Sequence, residues 1–173
     1  MAKEVLEVIR QRRSVRSFLP QPVAPELIMT LLEAAVWAPS AGNLQPWQFY
    51  VVRAPEAKAK LARAAGQAFV AQAPVVIVAC ALPEQSAAVY GSRGRLLYCL
   101  QDVAAAVQNM LLAASSLGLA ACWVGAFREE AVVQALNLPP EVRPVVLLPL
   151  GYGGETAVAP PRHPLSRVVQ WVD

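Results

Sequence analysis

From Pro74 to Leu82 the chain reads Pro-Val-Val-Ile-Val-Ala-Cys-Ala-Leu, without one side chain suited to water. A half-exposed strand alternates polar and apolar residues, whereas an unbroken β-branched run bounded by proline marks a strand covered on both faces. A buried strand of this kind predicts a sheet between two helical layers, an α/β/α arrangement. The segments around it agree. Lys3 to Arg12 reads as a short helix, and a second starts at Pro25-Glu26, buries Leu27, Ile28, Leu31, Leu32 and Ala35, and stops before Pro39. Strands are predicted at Trp47–Arg53, Ala120–Val124 and Arg143–Leu150, the last ended by Gly151-Tyr152-Gly153-Gly154. Glu56–Val70 reads as a surface helix exposing Lys58, Lys60 and Arg63, and Glu129–Leu136 as a short helix. Gly91-Ser92-Arg93-Gly94-Arg95 reads as a polar turn before a long helix over Leu96–Leu117.

The whole chain, residues 1–173, is expected to form one domain, large enough to bury roughly 70% of its unfolded surface. With 56% apolar and 16% charged residues, it carries more apolar surface than one core of this size hides. A homodimer with an extensive interface follows. The tail Ala159-Pro160-Pro161-Arg162-His163-Pro164 is too proline-rich for helix and ends in the strand-like Val168-Val169-Gln170-Trp171-Val172. Lacking a hairpin partner, that piece is expected to pair at a neighbouring subunit's sheet edge.

Several function classes are disfavoured. The net charge of +3 is modest and comes mostly from arginine, with no lysine-rich tail or basic stripe for nucleic acid. Between Asp102 and Arg128 no residue is charged, but polar residues and Gly118 interrupt the stretch, which reads as core helix and strand rather than a membrane span. Asp102, alone at the head of that neutral helix, reads as structural. Cys80, Cys99 and Cys122 form no CxxC pair and read as buried thiols suited to a reducing cytoplasm, and Met1 to Glu4 lack the apolar run of a signal peptide. With one histidine, His163, and no cysteine cluster, no metal site is expected. GxSxG, GxxxxGK[ST] and GxGxxG after a strand are all missing.

Two motifs point elsewhere. Pro39-Ser40-Ala41-Gly42-Asn43-Leu44-Gln45-Pro46-Trp47 presents short neutral hydrogen-bonding groups between two prolines, suited to the edge of a flat heterocycle. Arg12-Arg13-Ser14-Val15-Arg16 offers guanidinium forks and a hydroxyl suited to a phosphate, and Arg162 adds another fork. Together they suggest a flavin mononucleotide site. Each has a plainer reading on its own: a solvated arginine turn, and a loop capping the preceding helix. Trp123-Val124-Gly125-Ala126-Phe127 is either an ordinary strand-to-helix turn or a place where Gly125 lets backbone N–H groups approach a ligand.

These motifs, in this order and followed by Arg162-His163-Pro164-Leu165, resemble the FMN-dependent nitroreductase family over essentially the whole chain. The resemblance implies an α+β homodimer with a central, mostly antiparallel sheet flanked by helices and a carboxy-terminal segment added to the partner. It implies two FMN sites at the interface. Arg12, Ser14 and Arg162 would hold the phosphate, with Arg13 beside them and Arg16 near flavin N1 and O2. Asn43 and Gln45 would bond the polar flavin edge, Ser40 would lie on the facing loop of the partner site, and Val124 and Gly125 would set backbone groups near N5. The implied activity is cytoplasmic ping-pong hydride transfer from NADH or NADPH through FMN to a nitroaromatic, a quinone or another small acceptor, with no catalytic side chain required. Flavin fragmentation, dehalogenation or ring dehydrogenation on the same fold are alternatives, and a non-catalytic basic dimeric module is a more distant one.

Overall fold

The computed structural model describes residues 5–172. Helices α1 (Val5–Gln11) and α2 (Pro25–Val36) come first, followed by strand β1 (Trp47–Val52). Next are α3 (Pro55–Ala65), α4 (Phe69–Gln72), β2 (Val75–Ala81), α5 (Pro83–Arg93) and α6 (Cys99–Ser116). The chain closes with β3 (Ala120–Ala121), α7 (Glu129–Leu136), β4 (Arg143–Gly151) and a single turn, α8 (Leu165–Val168). Lys3 and Glu4, the start of the predicted first helix, lie outside the described residues.

The strands form one antiparallel sheet in the order β1-β2-β4-β3. Alternate residues of the central strands feed two cores. Val75, Ile77 and Ala79 of β2 with Val146, Leu148 and Leu150 of β4 meet α2 and α6. Val76, Val78 and Cys80 with Leu147 meet α3, α4 and α7. The all-apolar β2 is wholly buried, as its composition requires, and the three-layer expectation holds. Burial also pushes the Cys80 thiol up to about 12. α6 packs Val103, Val107 and Met110 into the first core and is a core helix, although the helical stretch Pro83–Ser116 that contains it is long and apolar enough to cross a membrane.

Proline shapes the sheet. Between β2 and β4 the register shifts at Ala79/Cys80, which pair with Val146 and Pro144 and leave Val145 as the extra residue. The predicted strand Ala120–Val124 keeps one register throughout: Ala120 faces Gly151, Cys122 N–H donates to Pro149 O at 3.3 Å, and Val124 exchanges two 2.9 Å bonds with Leu147. Regular pairing is confined to Ala120–Ala121 because Pro149 has no N–H to return.

Four expectations need correction. The predicted turn Gly91–Arg95 is reduced to a kink at Gly91 (φ 57°, ψ −141°), after which helix resumes and joins α6 through a π-type turn at Gly94–Tyr98. Glu56–Val70 is two helices, because the first ends at Gly66, whose N–H returns to the Ala62 and Arg63 carbonyls. Lys58 is buried, its Nζ donating to Ala73 O (2.7 Å) and Pro74 O (3.3 Å), and burial lowers its pKa. Val168 closes a helical turn, Leu165–Val168, rather than opening the strand-like end, and Val169–Val172 pairs with no strand among the described residues.

Candidate functional site

After α1 the chain turns extended and runs beside β3. Val15 is buried there, and its N–H donates to Ala121 O at 3.1 Å. That anchor leaves Arg12 and Arg13 half-buried and Ser14 and Arg16 exposed around it. Arg12 and Arg13 line a cleft of about 390 Å³ with Ser115, Gly118, Gly153 and Glu155. The Glu155 carboxylate accepts the backbone N–H of Arg16 at 3.1 Å. Arg13 Nη1 is committed to the carbonyls of Arg10 (2.6 Å) and Arg12 (2.9 Å). The guanidinium groups of Arg12 and Arg16 have no carboxylate partner among the described residues. Buried below lies Cys122: desolvation pushes its thiol up, while Arg16, a hydrogen bond with Ser14, and Arg12 pull it down.

The second motif is a braced loop. Ser40 is extended and Ala41–Asn43 form a 3-10 turn. Gly42, Asn43 and Gln45 all have positive φ (56°, 55° and 53°). Two non-glycine residues in the left-handed region within three positions are a strained arrangement that the surroundings must enforce. Four hydrogen bonds do so. Gln45 N–H donates to Ser40 Oγ (3.0 Å), and Gln45 Nε2 donates to Asn43 O (3.3 Å). Ala41 N–H donates to Asp102 Oδ1 (3.1 Å), and Gln85 Nε2 to Leu44 O (2.6 Å). Ser40 and Gln45 thus build the loop, and Asn43 leaves its carboxamide without an intrachain partner among the described residues. Asp102 is 6% exposed and its Oδ2 has no partner. Burial raises its pKa, opposed by the Ala41 hydrogen bond. Sequence reasoning marked Asp102 as structural without finding what it holds. It missed Gln85, for which local pattern carries no signal.

These two motifs sit at opposite ends of the protomer. β4 meets β3, beside the arginine segment, at Leu150–Gly151, and reaches the β1 end of the sheet through the Ala81–Arg143 pair. Seven strand residues separate those ends, about 23 Å. Along α6, Asp102 touches the loop and Ser115 lines the arginine cleft, about 20 Å apart at 1.5 Å per residue. Within one protomer the phosphate-type donors and the ring-type loop are thus set about 20 Å apart. Val124 lies between them, bonded to Leu147, and Gly125 opens on a small cavity of about 140 Å³ with Leu100, Phe127 and Arg143. Arg162 joins neither motif; its Nη1 donates to the carbonyls of Pro160 and Pro161 within the tail. Among the described residues no group of three or more His, Cys, Asp or Glu could hold a metal ion.

Comparison with known proteins gives concordant results. The sequence model described as "Nitroreductase family" matches residues 9–70 and 62–152. A "Putative NADH dehydrogenase/NAD(P)H nitroreductase" of Methanothermobacter thermautotrophicus is 38% identical over 157 residues, covering 88% of this chain and 78% of the relative. The "FMN reductase (NADPH)" of Bacillus subtilis is 31% identical over 177 residues, covering 94% and 71% respectively. Among solved structures, the NADPH:FMN oxidoreductase of Vibrio harveyi complexed with NAD+ superposes with a TM-score of 0.89 at 28% identity, covering 98% of this chain and 77% of that one.

Proposed function

As a member of the nitroreductase family, to which this chain belongs, the protein is an NAD(P)H-dependent flavin oxidoreductase, and we propose that it works as a homodimer holding FMN between its subunits. The observation that carries this reading is the separation of the two ligand-bearing motifs along α6. A twofold pairing that sets the arginine end of one protomer against the loop of its partner would bring them together twice, once per site. Apolar surface suited to such a pairing is present: Leu6 and Ile9 of α1, Met29 of α2, Trp37 after it and Trp171 of the tail are all exposed in the single chain.

The donor set fits FMN. A phosphate needs several forked donors to offset its desolvation, and Arg12 and Arg16 offer guanidinium groups unclaimed by carboxylates beside the Ser14 hydroxyl. Arg13 would support the ribityl-phosphate chain, and Arg162 would join once the tail is seated. Asn43, its side chain unclaimed, would bond the polar edge of the ring together with Gln45, and Ser40 would face the site from the partner's loop. Backbone groups of Val124 and Gly125 would lie near N5. Bound FMN would supply the hydride-transfer chemistry between NADH or NADPH and a small acceptor such as a nitroaromatic or quinone. Arg16 near N1 and O2 would stabilise negative charge on the reduced ring, and no side-chain acid, base or nucleophile is needed. We place this single-domain enzyme in the cytoplasm, where its three buried thiols stay reduced.

The test is anaerobic stopped-flow on purified yellow protein. Bleaching of the flavin band by NADH or NADPH, followed by reoxidation with menadione or nitrobenzene, is the expected result. A flavin that neither nicotinamide bleaches would end the proposal. Light scattering at micromolar concentration should give twice the chain mass.

A further inference from the structure

Next to the braced loop lies a cation that no anion among the described residues neutralises. α5 packs directly on the loop: a Cβ on Gly42 would come within 2.6 Å of Tyr90 Oη, and Gln85 is bonded to Leu44. Three arginines belong to this region. Arg95 is paired with Glu84 at 2.6 Å, and Arg143 with Glu129 at 2.9 Å. Arg93 has no carboxylate among the described residues. Its Nε donates to Tyr98 Oη at 2.9 Å, and its guanidinium carbon lies 5.3 Å from the Tyr98 ring centroid. Tyr98 meets Tyr90 edge-on, with centroids 5.3 Å apart and planes at 79°. Gly91, at φ 57° and ψ −141°, breaks the helix between Tyr90 and Arg93 in a backbone state that glycine alone adopts readily.

A rigid aromatic pair thus runs from the loop to a guanidinium held by its inner nitrogen. The two outer nitrogens of the fork have no partner among the described residues. An arginine ordered by neutral groups, with its outer edge open, is built to receive a phosphate. In the proposed dimer the flavin's own phosphate is taken by the arginine segment of the facing protomer, whose guanidinium forks and Ser14 hydroxyl already answer it. A further anion at the loop end would come with a molecule that approaches the ring. Of the molecules proposed above to approach the ring, nitroaromatics and quinones lack phosphate, whereas the nicotinamide dinucleotide carries a pyrophosphate and takes part in every turnover.

We infer that Arg93, positioned by Tyr98 and Tyr90, recognises the phosphates of the reducing nicotinamide dinucleotide and so sets its affinity. This rests on the flavin oxidoreductase reading above. Anaerobic stopped-flow reduction of the holoenzyme tests it, with wild type, Arg93→Ala, Arg93→Lys and Tyr98→Phe against NADH, NADPH and phosphate-free 1-benzyl-1,4-dihydronicotinamide. Arg93→Ala should raise the concentration of NADH or NADPH for half-maximal reduction about tenfold, well beyond any change in limiting rate. Arg93→Lys should recover part of the loss, Tyr98→Phe should show a smaller loss, and the benzyl compound should show no such penalty. Loss with both dinucleotides assigns the contact to the pyrophosphate, and loss with NADPH alone to its 2′-phosphate. An equal loss with the benzyl compound, or a loss of FMN affinity with unchanged dinucleotide dependence, overturns the assignment. If wild-type flavin is not reduced by any dinucleotide, the oxidoreductase reading fails and takes this inference with it. If wild type is reduced and Arg93→Ala matches it, only the inference fails.

Discussion

The loop at Ser40–Gln45 and the tail after Gly154 are both proline-braced, and both carry residues suited to ligand contact, yet the chain treats them oppositely. The loop is tied down by its own side chains and by acceptors and donors on α5 and α6. Beyond Glu155, which accepts the Arg16 N–H, the tail bonds only to itself among the described residues: Arg162 to neighbouring prolyl carbonyls, Arg167 N–H to Pro164 O, Val169 N–H to Leu165 O and Arg167 Nη1 to His163 Nδ1. Trp171 is 88% exposed and Val172 94%. Proline stiffens the loop against a folded background, whereas in the tail it only limits the conformations available. One half of the proposed site is thus complete within a protomer. The other half, in the proposed dimer, would be completed against the partner's surface.

Removing residues 158–173 is the strongest way to break that contrast. The tail contributes nothing to either core, so the shortened protein should fold with near-native circular dichroism. It should run as a monomer in light scattering and bind FMN at least about 100-fold more weakly, because interface anchors such as Trp171 concentrate binding energy. A shortened dimer with unchanged FMN affinity would show that the tail needs no partner. A finer cut is Arg162→Ala, which should cost about tenfold in FMN affinity while leaving the dimer mass intact. That result would separate the guanidinium from the tail's apolar anchoring.

The loop side is tested at Gly42. Alanine there meets a positive φ and the Tyr90 hydroxyl together, so Gly42→Ala should destabilise the protein by roughly 1–3 kcal/mol in denaturant titration. Adding Tyr90→Phe should return part of the loss, because the crowding atom is gone while the φ strain remains. No recovery in the double variant would mean that the backbone conformation alone sets the cost.

What could be read ahead of the structure followed from local rules. The unbroken apolar run fixed β2 between two layers, and Pro25 with Glu26 marked the start of α2. The strand Ala120–Val124 was legible too, but not its register or its interruption, because both depend on β4 and its Pro149. Lys58 looks exposed by helical position, and only the fold reveals two carbonyls beneath it. Gly91–Arg95 has the composition of a turn, yet only Gly91 leaves helical geometry, and helix resumes through the π-type turn at Gly94–Tyr98. At the site, residue types announced polar contacts but not their direction. Ser40 and Gln45 turn inward to hold the loop, and its anchor Asp102 lies 61 positions from Ala41. Such pairs answer to tertiary distance, which neither periodicity nor spacing encodes.

Asp102 also gives the smallest and most specific effect. Burial holds its folded pKa above the ordinary carboxylate value, so the charged form is the disfavoured one in the native state. The group's contribution to stability is therefore fully present below the unfolded pKa, near 3.9, and is lost as pH rises through the raised folded value. Asparagine keeps an acceptor for the Ala41 N–H and cannot ionise. The Tm of Asp102→Asn minus that of wild type should accordingly climb by roughly 1–4 °C between pH 4 and pH 7, then level off. A difference that falls over this window would mean that the carboxylate is stabilised by its charge, and that the Ala41 hydrogen bond outweighs burial. Asp102→Ala, which removes the acceptor altogether, should weaken FMN binding at every pH, because the strained turn then loses its tie to α6.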